Sequence, residues 1–125
     1  MSDMVTSTGE ARSFLERAFA KLFDPLATER DILEFFSPEY RQDLNGKLYS
    51  FRQFLDGVSE IKASIKSSRI VFTSVVSAGE TIAEVHVVDA VRKDGTRLRF
   101  KVIAFQTMAG GRIVKAEEVN CPLPV

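Results

Sequence analysis

The residues with the chemistry to act on a ligand are few, and they cluster in three short stretches. His86, the chain's one histidine, lies in AEVHVVDAVRKDG with Glu84 two residues before it and Asp89 three after it. Everything else about that stretch reads as a buried β-strand, so it is either core or the wall of a pocket. Strand alternation puts Ile82, Glu84, His86, Val88 and Ala90 on one face and Ala83, Val85, Val87, Asp89 and Val91 on the other. The second face is the more uniformly apolar and is expected to be the covered one. His86 and Glu84 then belong to an exposed or subunit-facing surface. Asp89, a carboxylate ending an apolar face, is the better candidate for a pocket mouth. Adjacent Glu117 and Glu118 point to opposite faces of a later strand, and register alone leaves open which points inward. Tyr40 and Tyr49 offer phenol donors around a tight turn, although amphipathic packing at a strand end is the role to expect first.

No metal site is expected, because one histidine and scattered carboxylates lack ligand spacing. There is no phosphate-cradling glycine loop and no readable Ser-His-Asp set, so any catalysis is expected to need no cofactor. Cys121 has no second cysteine to pair with, which suits a reducing cytoplasm.

These residues need a scaffold, and 125 residues make one domain that can bury a core without staples. Seventeen basic and seventeen acidic side chains cancel. A chain without an electropositive face is not expected to bind nucleic acid, and the Arg97, Arg99, Lys101 stripe is too small for a groove. The apolar runs are shorter than a bilayer span, and the first residues lack a secretory pattern, so neither membrane nor export is expected.

Ser7 and Glu10 have capping-box spacing before an amphipathic helix carrying Phe14, Leu15, Ala18, Phe19 and Leu22. Pro25 breaks it. Thr28 caps a second helix expected to carry Ile32, Leu33, Phe35 and Phe36. Asn45-Gly46 supplies the positive φ angles of a hairpin between two short strands. Ser50 and Gln53 open a third helix with Phe51, Phe54, Leu55, Val58, Ile61 and Ile65. After Lys66 the period becomes two. Four β-branched strands follow, joined by turns at Ala78-Gly79-Glu80, Asp94-Gly95 and Gly110-Gly111. The expected fold class is α+β: a cone-like curved antiparallel sheet in the order α-α-β-β-α-β-β-β-β, with helices packed on its concave face. Helices over a concave sheet leave a cavity at one end.

FFSPEYRQDLNGK, SFRQFLDGV and GGRIVKAEEV resemble three segments of the SnoaL-like, nuclear transport factor 2-like superfamily, whose fold ketosteroid isomerase shares. The resemblance spans residues 10–122, leaving 1–9 as an N-terminal tail. It implies the cone fold and a homodimer through the sheet face. It implies a general base at Asp43, which stands where isomerases carry an aspartate in QDLNG. It also implies that the isomerases' oxyanion donors are replaced, since their positions fall on Phe19 and near Ile103, and neither side chain donates. Steroid isomerase chemistry is therefore not expected. Catalytic candidates are Asp43 and Asp89, and ligand-binding candidates are Phe19, Phe36, Tyr40, Phe54, Phe105, Glu117 and Glu118. Three functions fit: a pocket protein for a small hydrophobic or carbonyl-containing metabolite, an isomerase, cyclase or lyase with an aspartate base, or a dimerising interaction module.

Overall fold

The computed structural model describes residues 8–125; the Ser7 cap lies outside the described residues. Helix α1 (Thr8–Leu22) buries Ala11, Leu15, Ala18, Phe19 and Leu22 along one stripe and stops before Pro25. Helix α2 (Glu29–Ile32) is a single turn closed by a Thr28–Asp31 capping box. Helix α3 (Phe51–Ser64) opens with the Ser50–Gln53 capping box and buries Phe54, Leu55 and Val58.

The second helix is shorter than the apolar spacing suggests. Phe36 is already in strand β1 (Phe36–Leu44), paired with Ile113, and the Ile113 amide donates to the Phe35 carbonyl at 2.8 Å. Pairing with a distant strand outcompetes another helical turn, and Pro38 could not have continued that turn.

Strand β2 (Lys47–Ser50) returns from β1 through Asn45 (φ 52°) and Gly46 (φ 87°), the two left-handed positions a two-residue hairpin demands. Then β3 (Ile65–Ala78), β4 (Thr81–Arg92), β5 (Arg97–Ala109) and β6 (Arg112–Pro122) form an antiparallel meander. The six-stranded sheet has the order β2-β1-β6-β5-β4-β3. One pairing departs from the expected antiparallel pattern: β1 runs parallel to β6. The intervening α3, β3, β4 and β5 supply the long crossover that a parallel pair requires. The sheet is curved and unclosed, and α1 and α3 cover its concave face.

A bulge in β3 between Phe72 and Ser74 bends the strand over α1, and the Arg12 guanidinium donates to the Phe72 carbonyl there. The core lies between helices and sheet: Leu15, Leu22, Phe36, Ile82 and Ile113 are at most 2% exposed. Each such side chain contributes about 1.5–3 kcal/mol by leaving water.

Candidate functional site

Strand β4 faces the helices with the side chains that were expected to face away. Ile82, Glu84, His86 and Ala90 are buried, whereas Ala83, Val85, Val87, Asp89 and Val91 lie on the outer face and are only partly covered. The more polar face is inside because its polar groups satisfy one another. His86 Nδ1 is 2.7 Å from Glu84 Oε1, and Gln106 Nε2 donates to Glu84 Oε2 at 3.1 Å. Glu84 and His86 are 2% and 3% exposed. A buried carboxylate with both oxygens paired avoids most of the cost that would otherwise exclude it.

The sheet register fixes the neighbours of this pair. Glu84 is opposite Ala104 on β5, and Ala104 is opposite Glu118 on β6, so the two carboxyls flank a methyl group. The next row up runs Phe72, His86, Val102 and Asn120. Gln42 on β1 reaches across and donates from Nε2 to Glu118 Oε1 at 2.5 Å. Burial raises the Glu118 carboxyl above its ordinary range, the Gln42 bond and nearby His86 oppose that shift, and Glu84 adds to it. Burial also pushes the Tyr40 phenol well up, helped by the charge of Glu118.

The imidazole is clamped as well as hydrogen-bonded. Its centroid lies 5.3 Å from that of Phe19 and 5.1 Å from that of Phe72. In the neutral tautomer that donates from Nδ1 to Glu84, Nε2 is the nitrogen left to accept.

His86, Glu118, Tyr40 and Gln42 line a cavity of about 600 Å³ walled by Phe19, Phe36, Phe54, Val58 and Phe100. That volume suits a drug-sized organic ligand. Tyr40 packs against both Phe36 and Phe54, with ring centroids 5.2 and 4.6 Å away. Gln106 holds Glu84 from behind, and its own Oε1 has no partner among the described residues.

Of the residues picked from the sequence, Phe19, Phe36, Tyr40, Phe54 and Glu118 line this cavity, while Asp43, Asp89, Phe105 and Glu117 do not. Asp43 accepts the Gly46 amide at 2.9 Å and organises the hairpin instead. Asp89 is on the outer face, 3.2 Å from Arg99. Phe105 is 55% exposed on that same face, opposite exposed Glu117. Both follow from the strand alternation that turns Ala104 and Glu118 inward. Ile103 also points outward, at 50% exposure, while its neighbour Val102, which cannot donate a hydrogen bond either, lines the cavity.

His86 and Glu84 lie on the face opposite to the one that apolar alternation suggests, and Gln42, Gln106 and Asn120 are polar members of the cluster that the sequence pattern does not single out. The available signal was polar residues recurring at period two inside otherwise apolar strands. Among the described residues no group of three or more His, Cys, Asp or Glu side chains is arranged to hold a metal ion. Among the described residues no helix is long and apolar enough to cross a membrane.

No protein-family model matches the chain. It is 30% identical over 112 residues to the uncharacterized protein C11D3.04c of Schizosaccharomyces pombe, covering 89% of this chain and 85% of that one. In three dimensions it resembles an NTF2-like protein from Exiguobacterium sp. 255-15 with a TM-score of 0.69 at 19% identity, covering 90% of this chain and 99% of that one. The chain belongs to one family with C11D3.04c, and its fold is the NTF2-like, SnoaL-like cone. AclR from Streptomyces galilaeus shares this NTF2-like fold with a TM-score of 0.74 at 15% identity, over 91% of this chain and 80% of AclR. Ketosteroid isomerase-like and SnoaL-like proteins recur among the other structural matches. At these identities the solved structures speak for the fold alone.

Proposed function

We propose that this NTF2-like protein is an acid–base catalyst acting on a small, mostly apolar carbonyl compound, with His86 as the base. The observation that carries this reading is the buried His86–Glu84 pair behind an apolar cavity. A ring held in one tautomer, with a carboxylate behind it, is arranged to take a proton at Nε2 and to have the resulting positive charge offset. The raised Glu118 carboxyl supplies the complementary acid. In the step proposed, Nε2 takes a proton from the carbon beside the carbonyl. Glu118 gives its proton to the carbonyl oxygen, and an enol results between an imidazolium and a carboxylate. Returning a proton to a different carbon gives an isomer. Expelling a β-substituent instead gives an elimination, and attack of the enol on a second carbonyl closes a ring. Apolar walls keep water from competing for these charges.

The chromogenic carbon acid nitrobenzisoxazole tests this directly, because losing its ring proton to a base opens it to a coloured phenolate. Saturable turnover is expected, with a loss of about 100-fold or more in His86→Ala and no change in Asp43→Asn or Asp89→Asn. Binding without turnover above free imidazole, or full turnover in His86→Ala, would mean a carrier cavity rather than a catalyst.

The same reading includes a homodimer in the cytoplasm. Val76, Ile103, Phe105 and Val119 are each at least half exposed on the outer sheet face. Arg99, Lys101 and Glu117 lie on that face beside them, carrying both signs of charge. An apolar centre flanked by both charges can meet its own copy across a two-fold axis. The single exposed thiol, Cys121, suits a reducing compartment.

A further inference from the structure

Charge is distributed unevenly along the cavity. It follows β4 from His86 through Val88 and Ala90 to Arg92, a distance of about 20 Å along the strand. The floor holds the acid–base groups, and the middle is apolar. At the far end, where α3 runs into β3, the lining turns to Lys62, Lys66 and Arg92, interspersed with Ser64, Ser67 and Ser68. Among the described residues, Glu118, at the floor, is the sole acidic residue of the lining. In a chain of zero net charge this leaves the mouth cationic.

None of the ion pairs among the described residues involves these three cations. Lys62 Nζ gives one hydrogen to the Asp24 carbonyl at 3.0 Å and also suits the C-terminal end of α3, so part of its role is structural. Asp94, in the turn after β4, lies near enough to Arg92 to have its carboxyl held slightly lower by it, although its main partner is Thr96. Lys66 has no such competing role. Being on strands, Lys66 and Arg92 do not serve as helix caps.

We infer that the mouth reads an anionic group, so that the ligand is an amphipathic acid with its carboxylate or equivalent at Lys66 and Arg92 and its apolar body directed toward His86. This rests on the cavity being the functional site, but not on what His86 does there. Under the proposed chemistry it narrows the substrate to a carbonyl compound with an acidic tail. The cations attract the anion during approach and fix which end enters first.

Calorimetric titration with decanoate and with decanol tests the inference on the unmodified protein. Decanoate is expected to bind about tenfold more tightly at low ionic strength, with the advantage shrinking as salt is added. The Lys66→Ser/Arg92→Ser double variant should lose that advantage while binding decanol as before. Equal affinity for acid and alcohol in the unmodified protein, no binding of either, or a double variant that keeps the preference would overturn it. Nitrobenzisoxazole turnover separates the two proposals. If it persists while decanoate and decanol bind alike, only the anion reading fails. If decanoate is preferred but His86→Ala loses no turnover, only the acid–base reading fails.

Discussion

His86 Nδ1 and Glu84 Oε1 meet at 2.7 Å although the two residues are alternate neighbours on one strand. Both point into the concave side of the sheet, and Gln106 from β5 holds the carboxylate's other oxygen. The pair is therefore fixed by the sheet rather than by a loop. That rigidity is what a positioned base requires.

Removing one member of a buried pair leaves the other uncompensated. Glu84→Ala is expected to cost about 3–5 kcal/mol, because His86 and the Gln106 amide both lose their acceptor. Glu84→Gln keeps the shape and one acceptor oxygen, and should cost about 1–3 kcal/mol. Urea unfolding midpoints at constant slope measure both. A Glu84→Ala cost within the range of an ordinary surface change would show that the carboxylate is solvated.

Glu118 makes stability depend on pH in the direction opposite to a salt-bridged carboxylate. Its folded pKa is raised above the ordinary value of 4.5, chiefly by burial. Between that value and the folded pKa the native state holds a proton that the unfolded chain has released. Stability is then fully present below about pH 4.5 and falls as pH rises through the window. Glu118→Gln, which cannot ionise, should remove this fall and unfold at a higher temperature than the unmodified protein at neutral pH. Melting curves from pH 4 to 8 check this, and parallel curves for the two proteins would count against a neutral Glu118.

The outer sheet face predicts an association that can be broken without touching the cavity. Ile103 and Phe105 protrude there from β5, between the buried positions Val102, Ala104 and Gln106. Ile103→Lys/Phe105→Lys should convert a dimer to a monomer in sedimentation equilibrium, with a secondary-structure spectrum unchanged. A monomeric unmodified protein at micromolar concentration would refute the dimer.

How much of this was legible beforehand differs between elements. The Ser50–Gln53 cap, the Asn45-Gly46 hairpin and the meander were readable, because each is specified by residues within a few positions of one another. The second helix was over-extended, because what ends it is the pairing of Phe36 with Ile113, a partner 77 positions away in the sequence. The inward face of β4 was misjudged for a related reason. Hydrophobic alternation favours the more apolar face as core, yet here that face is outside and the Glu84, His86 and Gln106 cluster is inside. Functional sites are where such patterns fail.

The sequence by itself determined the order of elements, the turns and the resemblance to the NTF2-like fold, all consequences of local periodicity, caps and short motifs. Which glutamate of Glu117-Glu118 faces inward, and which strand face meets the helices, only the tertiary structure decided. The reason is that a strand's two faces are equivalent until another layer covers one of them. Here the helices cover the face whose polar groups, drawn from β1, β4, β5 and β6, pair with one another.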